Sequence, residues 1–171
     1  MNKIKLWQPV YKVKFKEHDF LKPLLLPLLP KTKKLIKNND RISSLDWEDA
    51  SDLNREWVKT FVPFWMDNIK EVTDDIGCAK INLEQIWFQQ YLKDGYHGWH
   101  IHTGHYTGVY YLELDKTSPV TELRDPYTKR IKRMNVKEGD MIVFPSYIYH
   151  RAPLNKSVKK KTIISWNFLT E

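Results

Sequence analysis

The segment HGWHIHTGHYTGVYYLEL (residues 97–114) combines a histidine cluster with a strand pattern, and it indicates the fold. Its second half, TGVYYLEL, is rich in β-branched and aromatic residues, as β-strands are. Similar stretches occupy much of the chain after residue 80: INLEQIWFQQYL (81–92), RIKRMNV (130–136), DMIVFP (140–145), YIYHRAP (147–153) and TIISWNFLT (162–170). Many short strands in succession predict a β-barrel or β-sandwich rather than alternating βαβ units.

A long amphipathic helix is predicted before the strands, over residues 51–76. We expect Ser51 or Asp52 to cap it, Pro63 to kink it and Gly77 to end it. Apolar side chains recur at spacings of three and four along this segment: Leu53, Trp57, Phe61, Trp65, Ile69, Val72 and Ile76. Such a stripe must cover another apolar surface, and the sheet is the expected one.

Two shorter stretches lie nearer the start of the chain. PLLLPLLP (residues 23–30) is eight residues long and holds three prolines, so it is too short for a membrane helix of about 20 residues. We expect it to be a packed segment with turns. The charged run KTKKLIKNNDR (residues 31–41) is predicted to end a helix and enter a loop. The chain is thus predicted to be one domain over 1–171, with mainly helical support in 1–79 and a β core in 80–171.

Composition narrows the class of protein. The chain has 171 residues, 42% hydrophobic residues and a net charge of +7, which excludes a disordered chain and an integral membrane protein. The single cysteine cannot form an intramolecular disulfide, and no secretory signal pattern is present at the start. We therefore expect a cytoplasmic protein with no membrane association and with partners that include anions. The oligomeric state is not indicated.

Histidines concentrate in one place, with four of the six between residues 97 and 105. In an extended segment His100 and His102 project to the same face, so two imidazoles can bind one metal ion. His150 lies in a later strand that a barrel brings to the same interior, and three ligands leave open positions on the metal. We interpret His18 and His97 as hydrogen-bonded core residues and His105 as a loop residue near the site mouth.

Several blocks in this order resemble the iron(II)- and 2-oxoglutarate-dependent oxygenases, especially small bacterial and phage-type members. The blocks span residues 86–168: WFQQY (87–91), WHIH (99–102), TGVYYLEL (107–114), RDP (124–126), EGDMIVFPSYIYHRAP (138–153) and KTIISWNF (161–168). No GxGxxG or Walker-type loop points to a nucleotide-binding enzyme instead. The resemblance implies a double-stranded β-helix, which is a cupin-like jelly roll, mostly β with N-terminal helices. It also implies Fe(II) as cofactor and 2-oxoglutarate as co-substrate.

The resemblance also implies roles for individual residues. His100, His102 and His150 match the iron ligands, and Tyr91 and Lys161 match positions that contact 2-oxoglutarate. Tyr110 is a further candidate for that contact, and Asn167 matches a terminal SFN block whose role is not assigned. His102 stands where a carboxylate is usual, and Lys161 stands where an arginine is usual. Lysine offers a point charge instead of a bidentate fork.

The predicted function is a non-haem iron oxygenase that hydroxylates an unidentified substrate and releases succinate and CO2. The substrate is expected to be a small molecule or a peptide or protein side chain, with nucleic acid less favoured. Candidates for the mouth of the site are Trp99, His105, Tyr106 and Arg151, although ordinary surface or strand packing is the favoured interpretation of each. Two other functions remain open: a cupin-type metalloenzyme that does not use 2-oxoglutarate, and a non-catalytic basic binding module.

Overall fold

Strands occur before, between and after the helices, so the helices do not all precede the strands. The computed structural model describes residues 9–30, 35–37 and 40–171. Its helices are α1 (His18–Leu28), a 3-10 turn (Trp47–Asp49) and α2 (Glu56–Ile76). Its strands are β1 (Tyr11–Lys14), β2 (Leu35–Lys37), β3 (Asp40–Ile42), β4 (Ser44–Leu45), β5 (Ile81–Tyr91), β6 (His97–His100), β7 (Tyr106–Glu113), β8 (Glu122–Arg124), β9 (Ile131–Arg133), β10 (Asp140–Pro145), β11 (His150–Ala152) and β12 (Lys161–Thr170).

Two antiparallel sheets form the body of the fold. The larger has the order β1-β10-β7-β12-β5-β4, and the smaller has the order β6-β11-β8-β9. One buried cluster joins their facing surfaces and includes Tyr111 and Ile163 from the large sheet and Leu123 and Ile148 from the small-sheet side. This is the predicted jelly roll, a double-stranded β-helix. A separate hairpin, β2–β3, is linked to the body by a bridge between Arg41 and Tyr96.

Alternation along β12 divides the large sheet into two faces. Ile164, Trp166 and Phe168 belong to the cluster that packs against α2, whereas Ile163 lies in the cluster between the sheets. Because β12 pairs with β5 on one side and β7 on the other, its side chains are central on both faces. Alternate side chains of β12 therefore lie on opposite faces of the sheet.

The helix α2 covers the first face with the predicted stripe. Trp57, Phe61, Trp65, Ile69 and Val72 are buried there. Gly77 ends the helix with φ of 76°, as expected for a left-handed C-cap. Opposite, Gly108 on β7 leaves room for Trp166, because a Cβ at position 108 would lie 2.2 Å from the indole.

The predicted start of α2 is wrong by several residues. The helix begins at Glu56, because the Asp52 carboxylate accepts the Asn54 N–H in a turn and holds that stretch out of helical geometry. Arg55 fixes the turn to the sheet by donating to the Ile86 carbonyl. Leu53 consequently lies outside the stripe and is 39% exposed. The helix continues through Pro63 without a break.

The N-terminal third is less helical than predicted. Strand β1 pairs with β10, and β4 pairs with β5, so both edges of the large sheet come from this region. The stretch 23–30 supplies much of α1. Pro23 and Pro27 lie on the exposed side of this helix, while Leu21 and Leu25 are buried on the other side.

The charged run 31–41 lies partly outside the described residues. Its described parts are strands, since β2 and β3 pair as a hairpin. Among the described helices, none has the length and apolar character needed to cross a membrane.

Candidate metal centre

Three histidines from separate positions converge between the two sheets. His100 ends β6 and is the cross-strand partner of His150, which begins β11. His102 follows two residues after His100, and its backbone N–H donates to the Ser146 carbonyl. One ligand atom from each imidazole lies within 4.8 Å of the others. The structure thus brings together all three residues that the sequence predicted as metal ligands.

Hydrogen bonds orient two of the three imidazoles. The Nδ1 of His100 lies 2.8 Å from the Gly98 carbonyl, and the Nδ1 of His150 lies 2.9 Å from the Ile148 carbonyl. Since a carbonyl only accepts, each Nδ1 carries the proton and each Nε2 keeps its lone pair. Backbone contacts of this kind fix metal-binding histidines in their ligating tautomer.

Burial keeps the three imidazoles neutral. Desolvation lowers the pKa of His102 to about 3 and holds the pKa of His150 well below its usual range. The pKa of His100 is lowered for the same reason. Neutral imidazole is the form that binds metal, so these side chains are ready to ligate at pH 7.

Among the described residues, no carboxylate joins the three histidines as a further potential metal ligand. Glu113 is engaged elsewhere, with the Thr162 hydroxyl and with Lys160 at 3.1 Å. Asp94 lies in an exposed turn with φ of 65°. The donor set is three neutral nitrogens on one side of the site. This set suits a divalent first-row metal such as Fe(II) and leaves open coordination positions.

A narrow cavity of about 20 Å³ lies beside the histidines. Its walls come from both sheets and include hydroxyl, amide and aromatic side chains. They comprise Trp87, Gln89, Tyr91, His97, His100, His102, Thr107, Val109, Thr121, His150, Arg151, Ala152, Ile163 and Ser165. Tyr91 is buried there, and its hydroxyl donates to the Gln89 side chain at 3.1 Å.

Lys161 lies next to Tyr91 but is not among the residues that line this cavity. Its side chain is 1% exposed, its Nζ donates to the Pro119 carbonyl at 2.9 Å, and it lies 5.0 Å from the Tyr91 ring centroid. No carboxylate of the described residues is within ion-pair distance of it. Desolvation lowers the pKa of Lys161 to about 7. A buried ammonium with one neutral acceptor is costly unless an anion joins it.

Tyr110 does not reach this cavity, and its prediction as a co-substrate contact is wrong. Its ring packs against Phe15 at 4.5 Å between centroids, and its hydroxyl lies 2.6 Å from the Nδ1 of His18. Alternation along β7 turns Tyr110 to the helix-covered face and turns Tyr111 to the other. His18 is therefore a hydrogen-bonded core residue, as predicted.

Asn167 lies near the candidate metal centre but does not line the cavity. Its amide donates to the Gln85 side chain at 2.9 Å, and its Oδ1 is buried without a partner in the described chain. A Cβ on the neighbouring Gly104 would lie 3.7 Å from the Asn167 Cβ. Asn167 thus adjoins the loop that carries His102.

Only part of the predicted mouth is present. Arg151 lines the cavity, forms an ion pair with Glu122 at 2.7 Å and lies 4.7 Å from the Trp99 ring centroid. Tyr106 instead stacks on Phe168 toward α2, because β7 alternation directs it there. His105 points away and hydrogen-bonds Thr170 at 3.0 Å.

His97 is the residue that sequence interpretation missed. Its ring stacks on His100 with centroids 3.8 Å apart, and its two nitrogens face Gln89 at 3.4 Å and Asp40 at 3.5 Å. The register between β6 and β11 shifts here, so three steps on β6 oppose two on β11. This bulge brings His97 to the side of His100 despite their odd spacing. The nearby Gly98 was the only sequence signal for it.

Comparison with known proteins was informative for structure alone. No protein-family model matches the chain, and no curated protein matches it in sequence. A 2OG-Fe(II) oxygenase-family oxidoreductase from Burkholderia pseudomallei is similar with a TM-score of 0.69 and 15% identity, over 85% of this chain and 76% of that one.

Two prolyl hydroxylase structures are also similar. The viral collagen prolyl hydroxylase of Paramecium Bursaria Chlorella virus-1, in its 2OG complex, has a TM-score of 0.63 and 17% identity, over 93% of this chain and 94% of that one. The Trichoplax adhaerens prolyl hydroxylase, bound to a hypoxia inducible factor peptide, has a TM-score of 0.62 and 13% identity, over 93% and 83%. These similarities establish the fold that the sequence predicted.

Proposed function

We propose that this protein is an Fe(II)- and 2-oxoglutarate-dependent oxygenase. The observation that carries the proposal is the group of three converged histidines at a cavity, with the buried Lys161 next to Tyr91 of its wall and without an anionic partner among the described residues. In the proposed reaction O2 is divided between two products. One oxygen atom enters a substrate C–H bond to give an alcohol, and the other enters succinate as 2-oxoglutarate loses CO2.

The iron would be held by His100, His102 and His150 through ring nitrogens that have no other partner among the described residues. Bound Fe(II) supplies the redox chemistry with O2, which amino-acid side chains do not perform. The chain itself orients the reactants: backbone carbonyls at Gly98 and Ile148 fix two ligand rings. Trp87, 5.2 Å from His102 between centroids, covers the third and excludes water.

The co-substrate would extend from the histidines toward Lys161. 2-Oxoglutarate is a dianion whose two ends need different partners, a metal at the keto-acid end and a cation at the far carboxylate. Lys161 is buried, and its Nζ lies 5.0 Å from the ring centroid of Tyr91, which lines the cavity. The side chains of Thr121 and Ser165 also line the cavity and offer hydroxyl hydrogen bonds to the same anion.

The substrate class is proposed as a small molecule or a peptide or protein side chain. The similar Trichoplax enzyme was solved with a peptide bound, which supports the second source. Nucleic acid is less favoured, and cytoplasmic location and the one-domain organisation stay predictions.

The decisive experiment is anaerobic addition of Fe(II) and 2-oxoglutarate to the purified protein. We expect a weak visible absorption band from the keto-acid chelate, together with a higher melting temperature, because both bind the folded state. Succinate formation on admission of O2 then tests turnover. Absence of the band and of any thermal stabilisation would contradict the proposal.

One observation favours a second candidate, a cupin-type metalloenzyme that does not use 2-oxoglutarate. The site has three neutral nitrogens in place of the two-histidine, one-carboxylate set that typifies non-haem iron oxygenases. Metal binding without any effect of 2-oxoglutarate would favour this candidate. Failure to bind metal would instead favour a basic binding module, whose affinity for polyanions falls steeply with salt.

A further inference from the structure

A second, larger cavity of about 230 Å³ adjoins the first and shares its histidine wall. The two cavities share the side chains of five residues: Trp87, Gln89, His97, His100 and His102. The remaining wall comes from the N-terminal part of the chain and from one residue of the histidine loop: Asp40, Ile42, Leu45, Trp47 and Ile101. A molecule bound in this second cavity would therefore lie beside the metal-ligating histidines and away from Lys161.

The wall of this second cavity is mainly apolar and aromatic. Trp47 meets Trp87 edge to face with ring centroids 4.4 Å apart, and it lies 6.2 Å from His102. Trp47 is 40% exposed and Ile101 is 49% exposed. An indole with this much free surface presents a π-face that attracts organic cations.

Asp40 is the one carboxylate among the residues that line this cavity. Its Oδ1 accepts the Gly98 N–H at 2.7 Å, and its Oδ2 lies 3.5 Å from the Nε2 of His97. Its side chain is 23% exposed. Among the residues whose side chains the structure describes, no lysine or arginine lies within 4.0 Å of it. The carboxylate thus keeps acceptor capacity toward the cavity, with no lysine or arginine partner among those side chains.

We propose that the second cavity binds the substrate through an alkylammonium group, with the amine at Asp40 and Trp47 and the alkyl chain along the apolar wall. The inference rests on the proposed oxygenase function for its meaning, because an amine anchored there would hold the adjacent carbons near the metal ligands. Neutral alcohols and carboxylates of the same shape are disfavoured, since they lack the charge that Asp40 and an indole face attract.

Three probes of equal length test this: n-pentylammonium, n-pentanol and pentanoate, titrated into the metal-free protein with tryptophan fluorescence as the readout. We expect n-pentylammonium to bind about tenfold more tightly than either analogue, the discrimination that one partly buried charge contact gives. Equal affinity for all three probes would overturn the proposal.

Asp40→Asn removes the charge and keeps an oxygen for the Gly98 N–H, so the loop is expected to stay folded. It should lower n-pentylammonium affinity about tenfold and leave n-pentanol affinity unchanged. The matched control is Asp49→Asn, which removes the same charge two residues from Trp47 at an exposed position outside the cavity. Trp47→Leu, which keeps an apolar wall, should weaken the ammonium more than the alcohol. Unchanged ammonium binding in Asp40→Asn would overturn the proposal.

Two further measurements are needed. One distinguishes a lysine side chain from a free amine as the ligand, and the other distinguishes failure of the oxygenase function from failure of the substrate class. Nα-acetyl-lysine N-methylamide carries the same ammonium on a peptide unit, and tighter binding of it than of n-pentylammonium assigns a lysine side chain, while weaker binding assigns a free amine. The Fe(II)–2-oxoglutarate band is recorded on wild type and Asp40→Asn, and we expect it in both. If the wild type shows no band but still prefers the ammonium probe, the oxygenase function alone is rejected. The band without ammonium selectivity would reject the substrate class alone.

Discussion

The two faces of strand β12 differ in the chemistry of their side chains, although alternate residues of one ten-residue strand form them. Toward α2 the strand presents Ile164, Trp166 and Phe168, which lie in an apolar cluster with Trp65. Toward the small sheet it presents Lys161, Ile163, Ser165 and Asn167, where an ammonium, a hydroxyl and an amide are buried.

This difference teaches how the fold separates stability from chemistry. The helix-covered face buries large rings and holds the sheet in place. The cavity face buries polar groups whose hydrogen-bonding capacity is incompletely used inside the protein, such as Lys161 and the Oδ1 of Asn167. Because alternate residues serve the two purposes, a change of one position along the strand changes which property is affected.

The largest effect is expected from a pair of neighbours on β12. Trp166→Ala should lower the free energy of unfolding by roughly 3–5 kcal/mol, because it leaves a large cavity beside Gly108 and Trp65. Ser165→Ala should cost less than about 1 kcal/mol, since it removes one hydroxyl that borders a cavity and leaves the packed rings in place. Denaturant unfolding measures both. Similar losses in the two variants would break the division between the faces.

Lys161→Met should have opposite effects on stability and on co-substrate binding. We expect 2-oxoglutarate affinity to fall by about 2–5 kcal/mol, the usual loss when a buried charge loses its partner. Without ligand the variant should be more stable than wild type by roughly 4 kcal/mol at pH 7, because burial lowers the Lys161 pKa to about 7. Since the unfolded chain binds the extra proton between pH 7 and the ordinary lysine pKa, this gain should vanish as pH rises toward 10.

Thermal melts at several pH values, with calorimetric titration of 2-oxoglutarate, measure both effects. A destabilised Lys161→Met protein at pH 7 would show that the ammonium is already satisfied within the chain.

The histidine side of the cavity face is tested by the middle ligand. His102→Ala should weaken Fe(II) binding by at least about 100-fold, more than the loss of an outer-shell partner. His102→Asp should retain binding, because it restores a two-histidine, one-carboxylate set. Asp94→Asn and Glu113→Gln are the controls and should stay within a few-fold of wild type in anaerobic titrations. Loss of the metal in Glu113→Gln but not in His102→Ala would assign the third ligand to the carboxylate.

The smallest effect is the pH dependence of co-substrate affinity. Above pH 7 the free protein loses the Lys161 proton that the dianion requires, so affinity should fall about tenfold per pH unit. Lys161→Arg should flatten this slope up to pH 9, because guanidinium stays protonated. Lys160→Arg, at the neighbouring half-exposed position, should keep the wild-type slope. A wild-type slope in Lys161→Arg would place the titrating group elsewhere.

Regular alternation made much of this predictable from the sequence. The faces of β12 and the buried stripe of α2 follow from periods of two and of about four, which the structure keeps. The same parity also separates Tyr110 from Tyr111 and puts Tyr110 on the face that α2 covers.

The remaining differences arise where local geometry depends on distant contacts. His97 joins His100 through a bulge that exists only in the pairing of β6 with β11. The start of α2 depends on Arg55, which reaches the carbonyl of Ile86 far along the chain. Asp40 reaches the second cavity because the β2–β3 hairpin folds against β6, which no local pattern encodes.

The central place of β12 also determines when the protein becomes functional during synthesis. The strands β5 and β7, which β12 joins, leave the ribosome long before it, so until residue 161 emerges the large sheet is split and both strands have unpaired edges. Pairings between residues as distant as Tyr91 and Lys161 close late and slowly. The rings that seal the core and the lysine proposed to hold the co-substrate arrive on one strand, so a nascent chain acquires its stability and its chemistry in a single step.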